Sequence, residues 1–191
     1  MTVETIISIF LGIGLAASVG FRVFVPLLAL SLASYFDILE LNESWQWIGS
    51  TTALIALGIA TIVEIFTYYI PYVDNLLDTI AVPLAAIAGT AVMLSTVADL
   101  SPLVTWSLAI MAGGGTAAAI AGSSSTTRLA STATTGGLVN PIVSTIETGT
   151  SIVMSVVSIF IPILAIILVF IVLFLIFKAF KKFKPTKAKI P

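Results

Sequence analysis

Four charged residues stand inside or beside long apolar runs of this chain: Arg22, Glu64, Arg128 and Glu147. They recur in the order Arg then Glu in each half of the sequence. A charge at the centre of a bilayer costs about 2.5–3.5 kcal/mol on insertion scales, so such residues face a bundle interior or a wet cavity and take a partner. Two guanidiniums in that setting can contact a polar or anionic solute or a lipid headgroup, with the carboxylates orienting them or carrying a proton. The plainer reading is a set of ion pairs and carbonyl clamps that fix helix register. Tyr68 lies four residues beyond Glu64, on the same helix face, and is placed to hydrogen-bond it.

Asp74 and Asp78 are one helical turn apart at the start of an expected span, where carboxylates favour the helix macrodipole. Coordination of a cation together with Asn75 is the sharper alternative, although these residues do not define a specific metal and no metal centre is expected. Asn140, just before Pro141, joins Arg22, Glu64, Asp74, Asp78, Arg128 and Glu147 as a ligand-binding or ion-path candidate. The chain has no cysteine and no histidine, which removes disulfides, thiolates, imidazole bases and the usual zinc, haem and iron–sulfur ligands. A catalytic set would have to be built from Glu, Asp, Ser, Tyr and Arg alone, so neither an enzyme nor a cofactor is expected.

These residues need elements to position them, and the composition says which. The hydrophobic share is 59%, charged residues make up 9%, and the mean hydropathy is +1.18. A water-facing surface cannot be made from that, since soluble domains carry roughly 25% charged residues. The expectation is an all-α polytopic membrane helix bundle of about six spans, one transmembrane domain over residues 1–180 with a basic tail over 181–191. The first apolar run, Thr5 to Tyr35, would reach roughly 46 Å as one helix against a hydrocarbon core of about 30 Å. A bend or unwinding between Gly20 and Pro26 is predicted, because Pro26 cannot donate to the carbonyl of Arg22.

Further spans are expected from about Trp47 to Ile70, Leu76 to Ala98, from Leu103, Pro141 to Phe160, and Ile163 to Phe177. Trp45, Trp47 and Trp106 read as interface anchors. The fourth span runs into Gly113–Gly137, rich in Gly, Ala, Ser and Thr, which reads as a cytoplasmic loop or a broken helix lining a cavity. All six lysines, Lys178 to Lys189, lie at the C-terminus. The positive-inside rule places that tail in the cytoplasm, and an even span count places the N-terminus there too, with the Asp37–Glu43 loop outside.

Gly14-Leu-Ala-Ala leading to Arg22 echoes Gly115-Thr-Ala-Ala leading to Arg128, and Thr61-Ile-Val-Glu64 echoes Ser144-Thr-Ile-Glu147. With three spans in each half (1–100 and 101–180), the halves would form a 3+3 inverted repeat with broken first and fourth spans, as in many transporters. Gly-Ala runs that merely let helices approach closely are the alternative.

Three stretches carry a resemblance: Gly14 to Pro26, Glu64 to Asp78, and Thr135-Gly-Gly-Leu-Val-Asn-Pro-Ile-Val-Ser-Thr-Ile-Glu147. They resemble an uncharacterised bacterial membrane family, domain-of-unknown-function family 4126. The resemblance spans nearly the whole chain and is most specific at Asn140-Pro141 with Ser144 and Glu147. Where that family's pattern has an acidic residue after the glutamate, this chain has Thr148; where it has a lysine ahead of Arg128, this chain has Ser and Thr. The resemblance implies a fold and a bacterial inner-membrane location, and names no activity. The functional expectation is a small transporter or channel-like protein binding a polar or anionic solute, or a lipid headgroup, between two helical halves. A non-transporting accessory subunit is the alternative. Membrane lipids are the expected partners, self-association into a homo-oligomer a further expectation, and nothing points to nucleic acid.

Overall fold

A computed structural model describes residues 2–70, 73–98 and 100–183, and all regular structure among them is helical. The expected turn residue Asp99, the aromatic Tyr72 and the lysines from Lys184 onward lie outside the described residues. Helix α1 (Val3–Phe21) starts where the Thr2 hydroxyl accepts the Thr5 N–H at 3.1 Å, with Glu4 in its first turn. It stops at Arg22, whose backbone is extended (φ −148°, ψ 127°). Helix α2 (Phe24–Tyr35) follows with Pro26 in its first turn. The interruption predicted between Gly20 and Pro26 is therefore present, and Pro26 explains it, since a continuous helix would need the N–H that proline lacks.

The outcome is a reversal and not a bend. Ser8, near the start of α1, accepts the Ala98 N–H at 3.2 Å, so α1 begins beside the end of helix α4 (Val73–Thr96). The segment after α2 returns to that same level: the Asn42 N–H donates to the Ser95 carbonyl at 3.0 Å, and its amide donates to the Leu94 and Val97 carbonyls. Helix α2 thus folds back along the bundle. A 3-10 segment (Glu43–Gly49) then meets helix α3 (Thr51–Thr67) at 65°. Ser50 caps α3 by accepting the Ala53 N–H at 3.2 Å.

Helix α5 (Pro102–Leu108), a π-helical segment (Ala109–Gly114) and helix α6 (Gly115–Thr135) make one rod of 34 residues. The loop or broken helix expected over Gly113–Gly137 is not there. Threonine hydroxyls in this stretch bond back to carbonyls one turn earlier, Thr126 to Gly122 and Thr127 to Ser123, and so stay within the helix. The rod ends where a glycine is required, at Gly136 (φ 64°) and Gly137 (φ 86°). Helices α7 (Asn140–Phe160) and α8 (Pro162–Phe183) complete the chain.

Five helices are long and apolar enough to cross a membrane, six if the Glu43–Gly49 and Thr51–Thr67 pair counts as one span, while α2 has only 12 residues. The protein is a multi-pass integral membrane protein. Helix α7 shows the logic of such a chain, since its buried face is polar apart from Met154 (Asn140, Ser144, Glu147, Ser151, Ser155, Ser158) and its exposed face includes Ile142, Ile146, Val153 and Val156. Helix α1 is central, with Leu11, Leu15 and Val19 packed on Ala85, Ala88 and Val92 of α4 and on Ala117 and Ala121 of α6.

Two expectations fail on helix direction. Because α2 doubles back, α1 and α8 run the same way, with Ala17 packing against Val169, and the two ends of the described chain lie at opposite ends of the bundle. One end carries Trp45, Trp47 and Trp106, and the other carries Lys178 and Lys181, so the described chain does not start and finish at one end of the bundle as an even span count requires. The inverted repeat fails as well. Helix α4 runs against α1, with Gly12 at Met93, and against α6, with Val82 at Gly122, so the two arginine-bearing helices are parallel. An inverted pair would be antiparallel.

Candidate functional site

The reversal between α1 and α2 places Arg22 at a bare helix end with unpaired backbone groups around it. Glu64, on the last turn of α3, satisfies two of them. Its carboxylate accepts the Val23 N–H at 2.7 Å and the Phe24 N–H at 2.9 Å, capping α2. The side-chain hydrogen bond expected between Tyr68 and Glu64 is not formed; the carboxylate faces the start of α2 instead. Tyr68 serves the arginines instead: its ring centroid is 4.1 Å from the Arg22 guanidinium carbon and 4.2 Å from that of Arg128.

Arg22 is 2% exposed and Arg128 is 1% exposed, and they meet at one acceptor. Glu147 Oε2 accepts Arg22 Nη1 at 3.0 Å and Arg128 Nη2 in a closer contact. Arg22 also donates from Nε to the Thr148 hydroxyl at 3.0 Å, from Nη2 to the Ser144 carbonyl at 3.0 Å and from Nη1 to the Phe21 carbonyl at 3.1 Å. All three of its nitrogens are engaged within the protein. Arg128 donates from Nη1 to the Ser144 hydroxyl at 3.1 Å, while its Nε stands 3.8 Å from Asp78 Oδ1, too far for a hydrogen bond.

Next to this layer, at the lysine end, lies a second polar group. Asp74, 3% exposed, sits in the first turn of α4, its Oδ2 accepting the Asn140 amide at 2.7 Å and its Oδ1 accepting the Asn75 N–H at 2.8 Å. The Asn140 amide also donates to the Thr132 hydroxyl at 3.1 Å. A cavity of about 100 Å³ opens here, lined among others by Tyr68, Asp74, Asn75, Thr132 and Asn140. Among the described residues, five buried side-chain atoms have no hydrogen-bond partner: Asn75 Oδ1, Asp78 Oδ2, Ser125 Oγ, Arg128 Nε and Asn140 Oδ1. Among the described residues, no group of three or more Asp or Glu is placed to hold a metal ion.

The structure thus joins Arg22, Arg128 and Glu147 directly, sets Asp78 beside Arg128, and ties Asp74 to Asn140 one turn away. Glu64 stands apart as the cap of α2. Sequence reasoning did not assign roles to Ser144, Thr148 and Thr132. The first two were findable, since residues 140, 144, 147, 148, 151 and 155 form a polar stripe at helical spacing inside an apolar helix. Thr132 gives no such signal in a segment full of threonine. Neither a curated protein nor a solved structure matches the chain. One family model does match: that described as Domain of unknown function (DUF4126) aligns over residues 9–182, nearly the whole bundle with its charged layer included, and the chain belongs to this family.

Proposed function

We propose that this protein is a small transporter or channel-like protein that takes a polar solute from the lysine end of the bundle toward the Arg22–Glu147–Arg128 layer. The observation that carries the reading is the set of buried, unpartnered polar atoms between cavity and layer. Asn75 and Asn140 line the cavity, Asp78 lies one helical turn along α4 from Asp74, and Asp78 faces Arg128. A buried polar group without a partner costs about 1–3 kcal/mol. A row of them is expensive in a purely structural bundle, and natural where a solute or its water completes the bonds. Lys178 and Lys181 make this end cytoplasmic by the positive-inside rule, with Glu4, Asp37, Glu40 and Glu43 on the outer end. The N-terminus is then external.

The accessory-subunit reading draws on Arg22, four of whose five N–H donors are bonded within the protein, so it has little left with which to seize an anion. That observation moves the solute contact from Arg22 to Arg128, Asp78 and the two asparagines. The test is reconstitution into liposomes with stopped-flow light scattering after osmotic shock in urea, glycerol, ammonium chloride and sodium chloride. Solute-selective permeation above that of protein-free vesicles is expected. Permeation equal to empty vesicles for every solute, together with a partner protein purifying in fixed ratio, would overturn the transporter reading in favour of the accessory one.

A further inference from the structure

We infer that the cavity at the lysine end binds one hard monovalent cation, held by the Asp74 carboxylate and the side-chain oxygens of Asn75 and Asn140. The inference rests on the solute-handling reading above and names a co-transported or permeating ion for the same site.

The first ground is the orientation of Asn140. This residue is 3% exposed, and its amide nitrogen donates to both Asp74 Oδ2 at 2.7 Å and Thr132 Oγ1 at 3.1 Å. Turning the amide over would set its oxygen against the carboxylate, so the orientation is fixed by its partners. Its oxygen is then held beside the cavity with no donor, and Asn75 Oδ1 is in the same condition. Both carboxylate oxygens of Asp74 already accept one bond, and each has a further lone pair. Two amide oxygens without a partner and a carboxylate with lone pairs to spare thus stand together at one small space.

Charge is the second ground. The buried interior holds the carboxylates of Glu64, Asp74, Asp78 and Glu147 against the guanidiniums of Arg22 and Arg128. Glu147 is shared by both arginines, and Glu64 is met by the N–H groups at the start of α2. The Asp74–Asp78 side of the layer is left with excess negative charge, which a bound cation reduces.

Ligand type and size then choose the ion. The donor set is all oxygen, in a chain without histidine or cysteine, which suits hard cations and not soft ones. A divalent ion such as calcium takes six to eight oxygens with several carboxylates, whereas among the described residues Asp74 is the one carboxylate lining the cavity. The space of about 100 Å³ is wide enough for an alkali-metal ion that keeps part of its water. An anion meets carbonyl and carboxylate oxygens on this side and is repelled.

The experiment uses the full chain in phosphatidylcholine nanodiscs, with the unfolding temperature followed as choline chloride is replaced by sodium or potassium chloride at constant ionic strength. A saturable rise with sodium or potassium is expected. Asn75→Ala, at a half-buried position, should fold and shift the half-saturating concentration upward by about tenfold, the loss of one direct ligand to a charge. Asp74→Asn should abolish the rise. Identical unfolding temperatures in choline, sodium and potassium would overturn the proposal, as would a rise that Asn75→Ala and Asp74→Asn leave unchanged, or one produced by calcium or magnesium alone. Cation-specific stabilisation without permeation in the liposome assay would keep this site and reject transport. Permeation without cation-specific stabilisation would do the reverse.

Discussion

The two ends of the bundle are built from opposite materials. At the tryptophan end the acidic residues face outward and the inward polar groups are matched: Asn42 gives its amide to the Leu94 and Val97 carbonyls, Ser31 donates to the Ile48 carbonyl, and Ser8 accepts the Ala98 N–H. At the lysine end two arginines, three carboxylates and two asparagines crowd together, and four of their atoms, on Asn75, Asp78, Arg128 and Asn140, have no partner. A chain that can close its backbone so economically at one end has no folding need for the excess at the other. The matched end reads as a seal, the unmatched end as a place for something that is not protein.

The comparison breaks first on topology, where the outcome is all or none. The wild type has no cysteine, so single-cysteine variants label cleanly. Glu4→Cys and Glu40→Cys, both at exposed positions of the tryptophan end, should react with an impermeant maleimide from one side of the membrane. Leu138→Cys, 83% exposed in the turn before α7, should react from the other. If Glu4→Cys and Leu138→Cys label from the same side, the reversal at Arg22 is wrong and the two ends do not exist as described.

Much of this was legible in the sequence, and the misses share one cause. Composition and run length gave a helical membrane bundle of about six spans, and Pro26 located the interruption at Arg22. What a proline cannot reveal is whether the chain continues or turns back beyond it. That is decided by Glu64, a residue distant in sequence whose carboxylate holds the first N–H groups of the returning helix. The same limit applies to Gly113–Gly137. Its composition reads as loop, yet in an apolar surrounding backbone groups must bond internally, and hydroxyls that would compete in water join the helix instead. In the site, the residue types were readable, while the shared use of Glu147 by two arginines from parallel helices depends on packing that spacing does not encode.

Glu147 carries the next largest effect. Glu147→Ala leaves two buried guanidiniums without their common acceptor and should cost about 3–5 kcal/mol, read as a fall in unfolding temperature in detergent. A joint replacement of Arg22, Arg128 and Glu147 by methionine or leucine should recover folding while losing any solute permeation. If Glu147→Ala is harmless, the layer is already satisfied by something else.

Smaller effects test how rigid the seal is. A Cβ at Gly113 would lie 2.6 Å from the Gly89 carbonyl oxygen, a backbone atom that cannot step aside, so Gly113→Ala should cost about 1–3 kcal/mol. Gly149→Ala meets nothing within 4 Å and should be neutral or stabilising by about 1 kcal/mol through helix propensity. Equal losses at the two positions would mean that the contact between α4 and the π-helical segment is looser than drawn.

Between the two ends lies the hydroxyl cluster that should respond least. Ser18 donates to the Ser151 carbonyl at 2.6 Å, with the Ser151 and Ser155 hydroxyls 3.1 Å and 2.6 Å away, and each of these serines bonds as well to a backbone carbonyl. Every polar atom there has an alternative, so a deletion strands nobody. Interhelical hydrogen bonds in membranes average about 0.6 kcal/mol by double-mutant cycle, and Ser18→Ala should cost about that much. The value of the measurement lies in its contrast with Glu147→Ala, which removes the acceptor two buried charges share. Thermal unfolding of the two variants side by side should separate them by several kcal/mol. If Ser18→Ala is as damaging as Glu147→Ala, the bundle's stability resides in its middle, and the charged layer loses its standing as the point where fold and function meet.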